Sequence, residues 1–461
     1  MAEQLPDATE PEREDEYALD PALVAAVNEA IDAKDKKGVR KIVADLHVAD
    51  LADLVEQIGS DRRRRFVKFA WSELDPRFLV ELEEGVRDDI LRLLKPMDLA
   101  VAARDFDTDD VVYLLQDLDP EQQAQVVAAL DPADRVAVTR QLEYPEYSAG
   151  RLMQTDFVRA PAFWPVGQMI DYLRAAPDLP EPFYDVVVVD PSMKPVGLVP
   201  LARVLGSRRP VTLGAIMRGD FQTFDATDPQ EDVAYAFKQY HLVSGPVLDE
   251  DGRLVGVITI DDAVEALDEE AEEDLKRLGG VGDEALSDTV WEITKRRFPW
   301  LAVNLATAIL ASLVIAQFED TIARVVALAV LMPIVASMGG NAGTQSLTVA
   351  VRALATRDLT ANNALRVVGR ETVVGLVNGL GFALVMGVVA LVWFGDPSLG
   401  IVIAVAMVIN LVAAALAGIL IPIVLDRAGA DPALASGTFV TTVTDVVGFL
   451  AFLGLAATVL L

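Results

Sequence analysis

Cysteine is absent from this chain, and histidine occurs only at His47 and His241. The first absence excludes disulfides. The two together leave zinc and copper sites poorly supplied, because those ions want thiolate or imidazole ligands. Oxygen ligands remain, and they suit magnesium and calcium. Positive charge is also scarce, with 39 Lys and Arg against 70 Asp and Glu and a formal charge of -31. Nucleic acid and anionic headgroups need basic patches, so neither is an expected partner, and counter-cations are the natural companions of such a surface. No nucleophile with a neighbouring base, no phosphate-binding loop and no metal-hydrolase motif is present, so no enzymatic activity is expected. Residues 1–20 are rich in Glu, Asp and Pro and lack an apolar core, which argues against a secretory leader and for a disordered acidic tail.

What the chain does have is unevenly spread. Of its 461 residues 52% are apolar, yet charges are dense before about residue 295 and thin to short clusters beyond Trp300. An acidic soluble portion followed by a membrane domain is the expected layout.

From Pro21 to about Tyr144 apolar residues recur at helical spacing, as in Leu51-Ala-Asp-Leu54 and Ile90-Leu-Arg-Leu-Leu94. Leu74-Asp-Pro76, Leu118-Asp-Pro120 and Leu130-Asp-Pro132 punctuate them, each with an Asp cap and a Pro in the first turn. This predicts a superhelical all-α domain over 21–147. Within it, Asp105-Phe-Asp-Thr-Asp-Asp110 crowds carboxylates at one helix start. Capping accounts for one or two of them; the surplus, Asp107 and Asp110 among it, is a candidate for holding a divalent ion.

Over 148–267 the pattern becomes α+β. Tyr184-Asp-Val-Val-Val-Val-Asp190 followed by Pro195-Val-Gly-Leu-Val199 has a counterpart in Gly245-Pro-Val-Leu-Asp249 followed by Arg253-Leu-Val-Gly-Val-Ile-Thr-Ile260. Two strand-turn-strand units feeding a helix indicate a tandem duplication. The pair resembles cystathionine-β-synthase (CBS) modules, which in that family sense nucleotides or ions. The family's ribose-contact pattern appears as Gly256-Val-Ile-Thr-Ile-Asp-Asp262, and the first module has Gly197-Leu-Val-Pro-Leu-Ala-Arg203 instead. The resemblance therefore implies ATP, if bound, at Thr259 and Asp262 of the second module.

Residues 268–298 form an acidic connecting region. Asp262, Glu265, Glu269, Glu272 and Glu273 stack along one helical face, and only Lys276 and Arg277 offset them. Like charges at that spacing cost a few tenths of a kcal/mol each, so cations would steady the helix; a plain solvated acidic face is the other reading.

Residues 299–461 carry five apolar runs of spanning length, placed near Trp300 to Phe318, Val325 to Val351, Thr372 to Phe394, Leu399 to Leu425 and Phe439 to Leu461. Lys295, Arg296 and Arg297 precede the first run, and Arg352, Arg357, Arg366 and Arg370 lie between the second and third. The positive-inside rule then puts the N-terminus in the cytoplasm and the C-terminus outside. In the second run, Pro333 and Met338-Gly-Gly-Asn-Ala-Gly-Thr-Gln-Ser346 are expected to interrupt the helix. Irregular backbone at that depth lines water or is buried in protein, so the carbonyls near Gly339 and Gly340 and the Asn341 amide are candidate pore ligands; close helix packing through small residues is the competing account. In the last run Asp445 is a carboxylate in an apolar segment without Lys or Arg, with the hydroxyls of Thr441, Thr442 and Thr444 on the same turn or the one before, and Asp445, Thr441 and Thr444 are candidate pore residues. Such a carboxylate either draws a cation along a water-filled path or is protonated and hydrogen-bonded to a neighbouring helix.

With these residues in order, the whole chain resembles the MgtE family of magnesium channels and transporters. Pro333 to Ser346, Asp431-Pro-Ala-Leu and Thr441-Thr-Val-Thr-Asp445 with Gly448 carry the most diagnostic part of the likeness. The resemblance implies a homodimer in the cytoplasmic membrane whose pore runs between two membrane domains, with Asp445 attracting hydrated magnesium. It also implies closure by cytosolic magnesium, with Asp262, Glu265, Glu270, Glu273, Asp274, Asp431 and Glu231 as sensor residues. Two departures stand out: His241 where some members have an acid, and Gly437-Thr438 where some have Asn or Pro. A broader divalent transporter for manganese, cobalt or calcium, and a membrane-anchored sensor without conductance, are the alternative readings.

Overall fold

The computed structural model describes residues 19–104, 106–116, 118–176, 179–180, 182–281, 290–360 and 362–461, with the side chains of 292 and 434–436 excepted. Most of the acidic tail expected over 1–20 and part of the acidic connecting region fall outside these residues. The fold divides into two compact units, separated after Asp268.

The first unit opens with helices α1 (Pro21–Asp32), α2 (Lys36–Val43), α3 (Val48–Gln57), α4 (Ser60–Ala70), α5 (Glu84–Leu91), α6 (Pro96–Ala102), α7 (Thr108–Gln116), α8 (Pro120–Ala129) and α9 (Pro132–Gln141). The Asp-Pro signals act as expected at Asp119, whose carboxylate accepts from the Glu121 and Gln122 amides. At Asp75 the same signal starts a 3-10 turn, Pro76–Leu79. Ile31, Leu54, Phe66, Phe78 and Ile90 are fully enclosed in one shared core. Arg63 is also enclosed, its guanidinium donating to the Val55 and Ile58 carbonyls, so this buried charge answers orphan carbonyls at a helix end.

Two three-stranded sheets follow, built alike. In the first, β1 (Arg159–Pro161) runs parallel to β2 (Asp185–Val189), which pairs antiparallel with β3 (Pro195–Pro200). In the second, β4 (Phe224–Asp225), β5 (Ser244–Leu248) and β6 (Leu254–Thr259) repeat that order and sense. Helices α10 (Ala149–Leu152), α11 (Val166–Ala175), α12 (Leu201–Gly206), α13 (Leu213–Ile216), α14 (Gln230–Tyr240) and α15 (Ile260–Gly279) cover them. The leading segments are exchanged. Gly150 donates to the Ala226 carbonyl and Gln154 pairs with Val257 of the second module, while Gly214 donates to Ala162 and Arg218 pairs with Leu198 of the first. Val187, Val189, Leu198, Leu254 and Val257 close the seam between the modules.

The second unit is helical. It holds α16 (Val290–Ala316), α17 (Glu319–Arg324), α18 (Ala327–Ala355), α19 (Ala364–Phe394), α20 (Pro397–Arg427) and α21 (Pro432–Val459). Five of these are long and apolar enough to cross a membrane. Helix α20 is the hub, packed against α18, α19 and α21, and it is the most enclosed span. One expectation is corrected here: α18 is a single unbroken helix through Pro333 and the Gly-Gly-Asn stretch. The small residues let neighbours approach without loss of the helical hydrogen bonds. A Cβ on Gly339 would lie 2.3 Å from the Asn410 amide nitrogen, and one on Gly343 would lie 2.5 Å from the Val440 side chain.

Candidate functional site

Asp445 sits on α21, half-buried. None of the hydrogen bonds or ion pairs of the described residues engages its carboxylate. The neighbouring hydroxyls are committed to their own helix: Thr441 donates to Gly437 O, Thr442 to Thr438 O and Thr444 to Thr441 O, all within 2.9 Å. Their protons are used, so toward a cation they act only as oxygen donors, the role a hydrated divalent ion requires. Thr441 is exposed, whereas Thr444 is fully buried, with its methyl group facing Gly343. The departure at Thr438 makes an interhelical bond, its hydroxyl donating to the side-chain oxygen of Asn304 on α16 at 2.6 Å.

On α18 the buried face carries Leu331, Val335, Gly339, Gly343, Ser346 and Ala350. The opposite face exposes Ser337, Asn341, Thr344, Gln345 and Thr348, a polar stripe at helical spacing. Gly340 keeps its carbonyl within the helix, where it also accepts from the Thr344 hydroxyl at 3.0 Å. In a spanning segment such a stripe is unfavourable against lipid and fits water or another polypeptide.

Two interior polar groups were missed in the sequence. Asn410 of α20 is wholly enclosed between Gly339 and Gly448 and donates to the Val335 carbonyl at 2.8 Å. Glu371 of α19 is buried and accepts from the Ser346 hydroxyl at 3.1 Å. Both fix the rotation of α18, and hence which face carries Asn341. A lone amide inside the apolar run Leu399 to Leu425 was a readable signal for Asn410; Glu371, next to Arg370, looked like part of a charged loop.

In the first unit Asp107, just ahead of α7, and Asp109 and Asp110 in its first turn face Asp261 and Asp262 at the start of α15 closely enough to repel. Thr108 and Thr155 share a 2.8 Å hydrogen bond alongside. Burial pushes the Asp109 carboxyl well above the usual carboxylate range, and the charges of Asp262, Asp110 and Asp107 push it further. One of its oxygens is enclosed with no hydrogen-bond partner among the described residues. Burial likewise raises Asp107, pushes Asp110 up to about 6, and pushes Asp262 up to about 7 despite the hydrogen bond from Thr259. Asp109 and Asp261 join the two candidates named from sequence on this helix. Among the described residues, no three carboxylates or imidazoles converge tightly enough to form a ready-made metal site.

These raised values give a pH prediction. Each folded-state pKa lies above the unfolded value near 3.8, so the contribution to stability is greatest below that value and is lost as pH rises toward about 7. A thermal-unfolding series between pH 4 and 7 should show a decline on the order of a few kcal/mol, and the Asp109→Asn, Asp262→Asn double variant should flatten it. A slope equal to that of the parent protein would show that the cluster is not strained.

Thr259 is buried, and its hydroxyl is held by the Asp262 carboxylate at 2.6 Å, so a ribose contact there requires this pair to open. Glu265, Glu270 and Asp274 lie along α15, and Glu231 lies in the first turn of α14. Glu273 and Asp431 are brought together through Arg277, which donates to both. His241 caps α14 in a left-handed conformation, φ 54°.

Comparison with known proteins covers most of the chain. A divalent cation transporter family model matches residues 332–455, an MgtE intracellular N domain model matches 46–147, and a CBS domain model matches 213–269. The magnesium transporter MgtE of Thermus thermophilus is 31% identical over 95% of this chain and 98% of its own length. That of Enterococcus faecalis is 35% identical over 68% of this chain and 70% of its own. Among solved structures, the cytosolic domain of the Mg2+ channel MgtE in complex with ATP is 26% identical and covers 52% of this chain and 99% of that one, with a TM-score of 0.47. A helical N domain, a CBS pair and five apolar helices in the same order, with this identity across nearly the full length of a relative, place the chain in the MgtE family of multi-pass magnesium transporters.

Proposed function

We propose that the protein is a magnesium-selective channel that imports Mg2+ across the cytoplasmic membrane and closes when cytosolic magnesium is plentiful. The observation that carries this reading is the exposed polar stripe of α18, which includes Asn341, in the same unit as the unpartnered Asp445. Lipid is a poor neighbour for both, and a second copy of the chain would enclose them. The path would then run between two protomers, with Asp445, Thr441 and Asn341 meeting the ion, with Thr444 supporting α21 from behind, and with the Gly340 carbonyl kept within its helix. Magnesium holds its water shell tightly and demands octahedral order, so carboxylate, amide and hydroxyl oxygens would act on the hydrated ion.

Gating follows from the acids outside the membrane. Asp107, Asp110, Asp262, Glu265, Glu270, Asp274 and Glu231 are the proposed sensor residues, and Asp109 joins them; Glu273 and Asp431, implied with them by the resemblance, are already engaged by Arg277. Cations that relieve the repulsion on α7 and α15 would favour the compact, closed arrangement. ATP, if it binds, does so in the second module at Thr259 and Asp262. The N-terminus is cytoplasmic and the C-terminus outside, by the Lys295–Arg297 and Arg352–Arg370 clusters.

The test is magnesium flux into proteoliposomes, with magnesium varied separately on the two sides. Neutralising Glu265, Glu270 and Asp274 together is expected to leave the pore open at millimolar magnesium; unchanged closure would remove them from the sensor. Competition by manganese, cobalt and calcium in the same vesicles reads selectivity. Absence of flux in the parent protein would favour a sensor without conductance.

A further inference from the structure

Glu273 and Asp431 carry negative charge at the end of the connecting helix and at the start of the last span. Their shared neighbour in the structure is an arginine of the same chain. Arg277, near the C-terminal end of α15, donates one guanidinium nitrogen to Glu273, one turn back, and another to Asp431. The other Asp431 oxygen accepts from the Ala433 amide at 2.7 Å and caps α21. Both oxygens of that carboxylate are therefore engaged. Two further contacts hold this end of α15 to the membrane helices. Leu278 packs into the cluster of Leu347, Val351, Ala433 and Val440. The chain then turns at Gly280 with φ +67°, so close to Trp300 that a Cβ there would lie 1.9 Å from the indole nitrogen.

We propose that Arg277 is a built-in cation of the gate: it occupies the Glu273 and Asp431 carboxylates and fastens the connecting helix to α21, so that at this point closure depends on the arginine rather than on a bound magnesium ion. The inference rests on the gating reading above and specifies how one part of it works. An arginine suits the role because its planar fork meets two carboxylates at once and its charge persists at all relevant pH. Magnesium reaching the same two acids would have to displace a guanidinium that is tethered in place and present at high effective concentration. Magnesium sensing is thereby left to the other acids of the soluble portion and of α15.

The two assignments predict opposite results for Arg277→Gln. If the guanidinium fastens the closed gate, residual flux at millimolar internal magnesium rises about fivefold, the ratio corresponding to roughly 1 kcal/mol for a part-exposed ion pair. If the carboxylates hold magnesium instead, removing the arginine frees them and the gate closes at lower magnesium. That result, or unchanged residual flux, overturns the proposal. Asp431→Asn keeps an N-cap and removes the charge; it is expected to reproduce Arg277→Gln, and the double variant to be no leakier than either single one, whereas additive effects would oppose a direct pair. Arg277→Lys should fall between parent and Gln, and it serves as the informative variant if Gln does not fold.

A second readout needs no flux. The chain lacks cysteine, so spin labels on Leu275→Cys and Arg427→Cys, both exposed positions, report the spacing of α15 from the membrane helices alone. The distance distribution at millimolar magnesium should be narrow in the parent and broad with Arg277→Gln. Identical distributions would remove the latch even if conduction is confirmed. A broadened distribution in a protein without magnesium flux would retain the latch and reject the channel.

Discussion

Replacing Asp445 by asparagine is expected to abolish magnesium uptake while leaving the protein folded and its oligomeric state unchanged. Asparagine has nearly the same shape and keeps an oxygen in place, so what is lost is the charge. At contact distance and an effective dielectric of about 20, a unit pair is worth about 4 kcal/mol, and a divalent ion doubles it. Even after allowance for an intervening water shell, the loss corresponds to about a hundredfold or more in occupancy. No arginine or lysine lies in this segment to take over, and no described residue already satisfies the carboxylate. Tracer uptake into proteoliposomes checks the flux and gel filtration checks the fold. Near-normal uptake by Asp445→Asn would mean that the ion takes another route.

The second large effect is structural. Gly418 on α20 faces α18 so closely that a Cβ would lie 2.6 Å from the Gly343 carbonyl oxygen, 2.8 Å from the Ser346 Cβ and 3.0 Å from the Leu347 nitrogen. Two of these atoms are backbone and cannot swing aside, so α18 and α20 must separate. Gly418→Ala should therefore destabilise the membrane unit by about 1–3 kcal/mol, the usual range for overpacking. Gly381→Ala on α19 is the matched control, because its Cβ would meet nothing within 4 Å. That change should be neutral or stabilising by up to about 1 kcal/mol, the helix-propensity difference between the two residues. Thermal unfolding of both variants in the same detergent tests the contrast; equal midpoints would mean that the α18–α20 contact is loose. Because Ser346 also bonds Glu371, displacement of α18 by Gly418→Ala should disturb the face bearing Asn341 as well.

How much of this could be read from the residues depends on whether a feature is local. The five apolar helices follow from run length, and the expected spans overlap the observed ones closely except at the starts of the first and third, which begin earlier, at Ile293 and Ala364. The paired sheets follow from two copies of one strand pattern, and β2, β3, β5 and β6 lie where that pattern placed them. The unbroken course of α18 was not legible, because Gly and Pro weaken a helix by propensity alone and only the tertiary contacts of Gly339 and Gly343 reveal why they are tolerated. Nor was the partner of Arg277 legible. In sequence it merely offsets a run of acids, whereas in the fold it reaches Asp431, 154 positions away. Asp109 shows the same limit: it looked like one more cap-region acid, and its enclosed, unpartnered oxygen follows only from how α7 meets the start of α15.

The exchange of leading segments between the two sheet modules has a consequence for how the soluble portion stands or falls. Each half lends its opening turn to the other, so neither owns a complete set of backbone partners. A cut between α12 and α13 would leave two fragments, each retaining the opening turn that completes the other. Melting of the pair should accordingly be all-or-none, and a disturbance entering at one half cannot remain there.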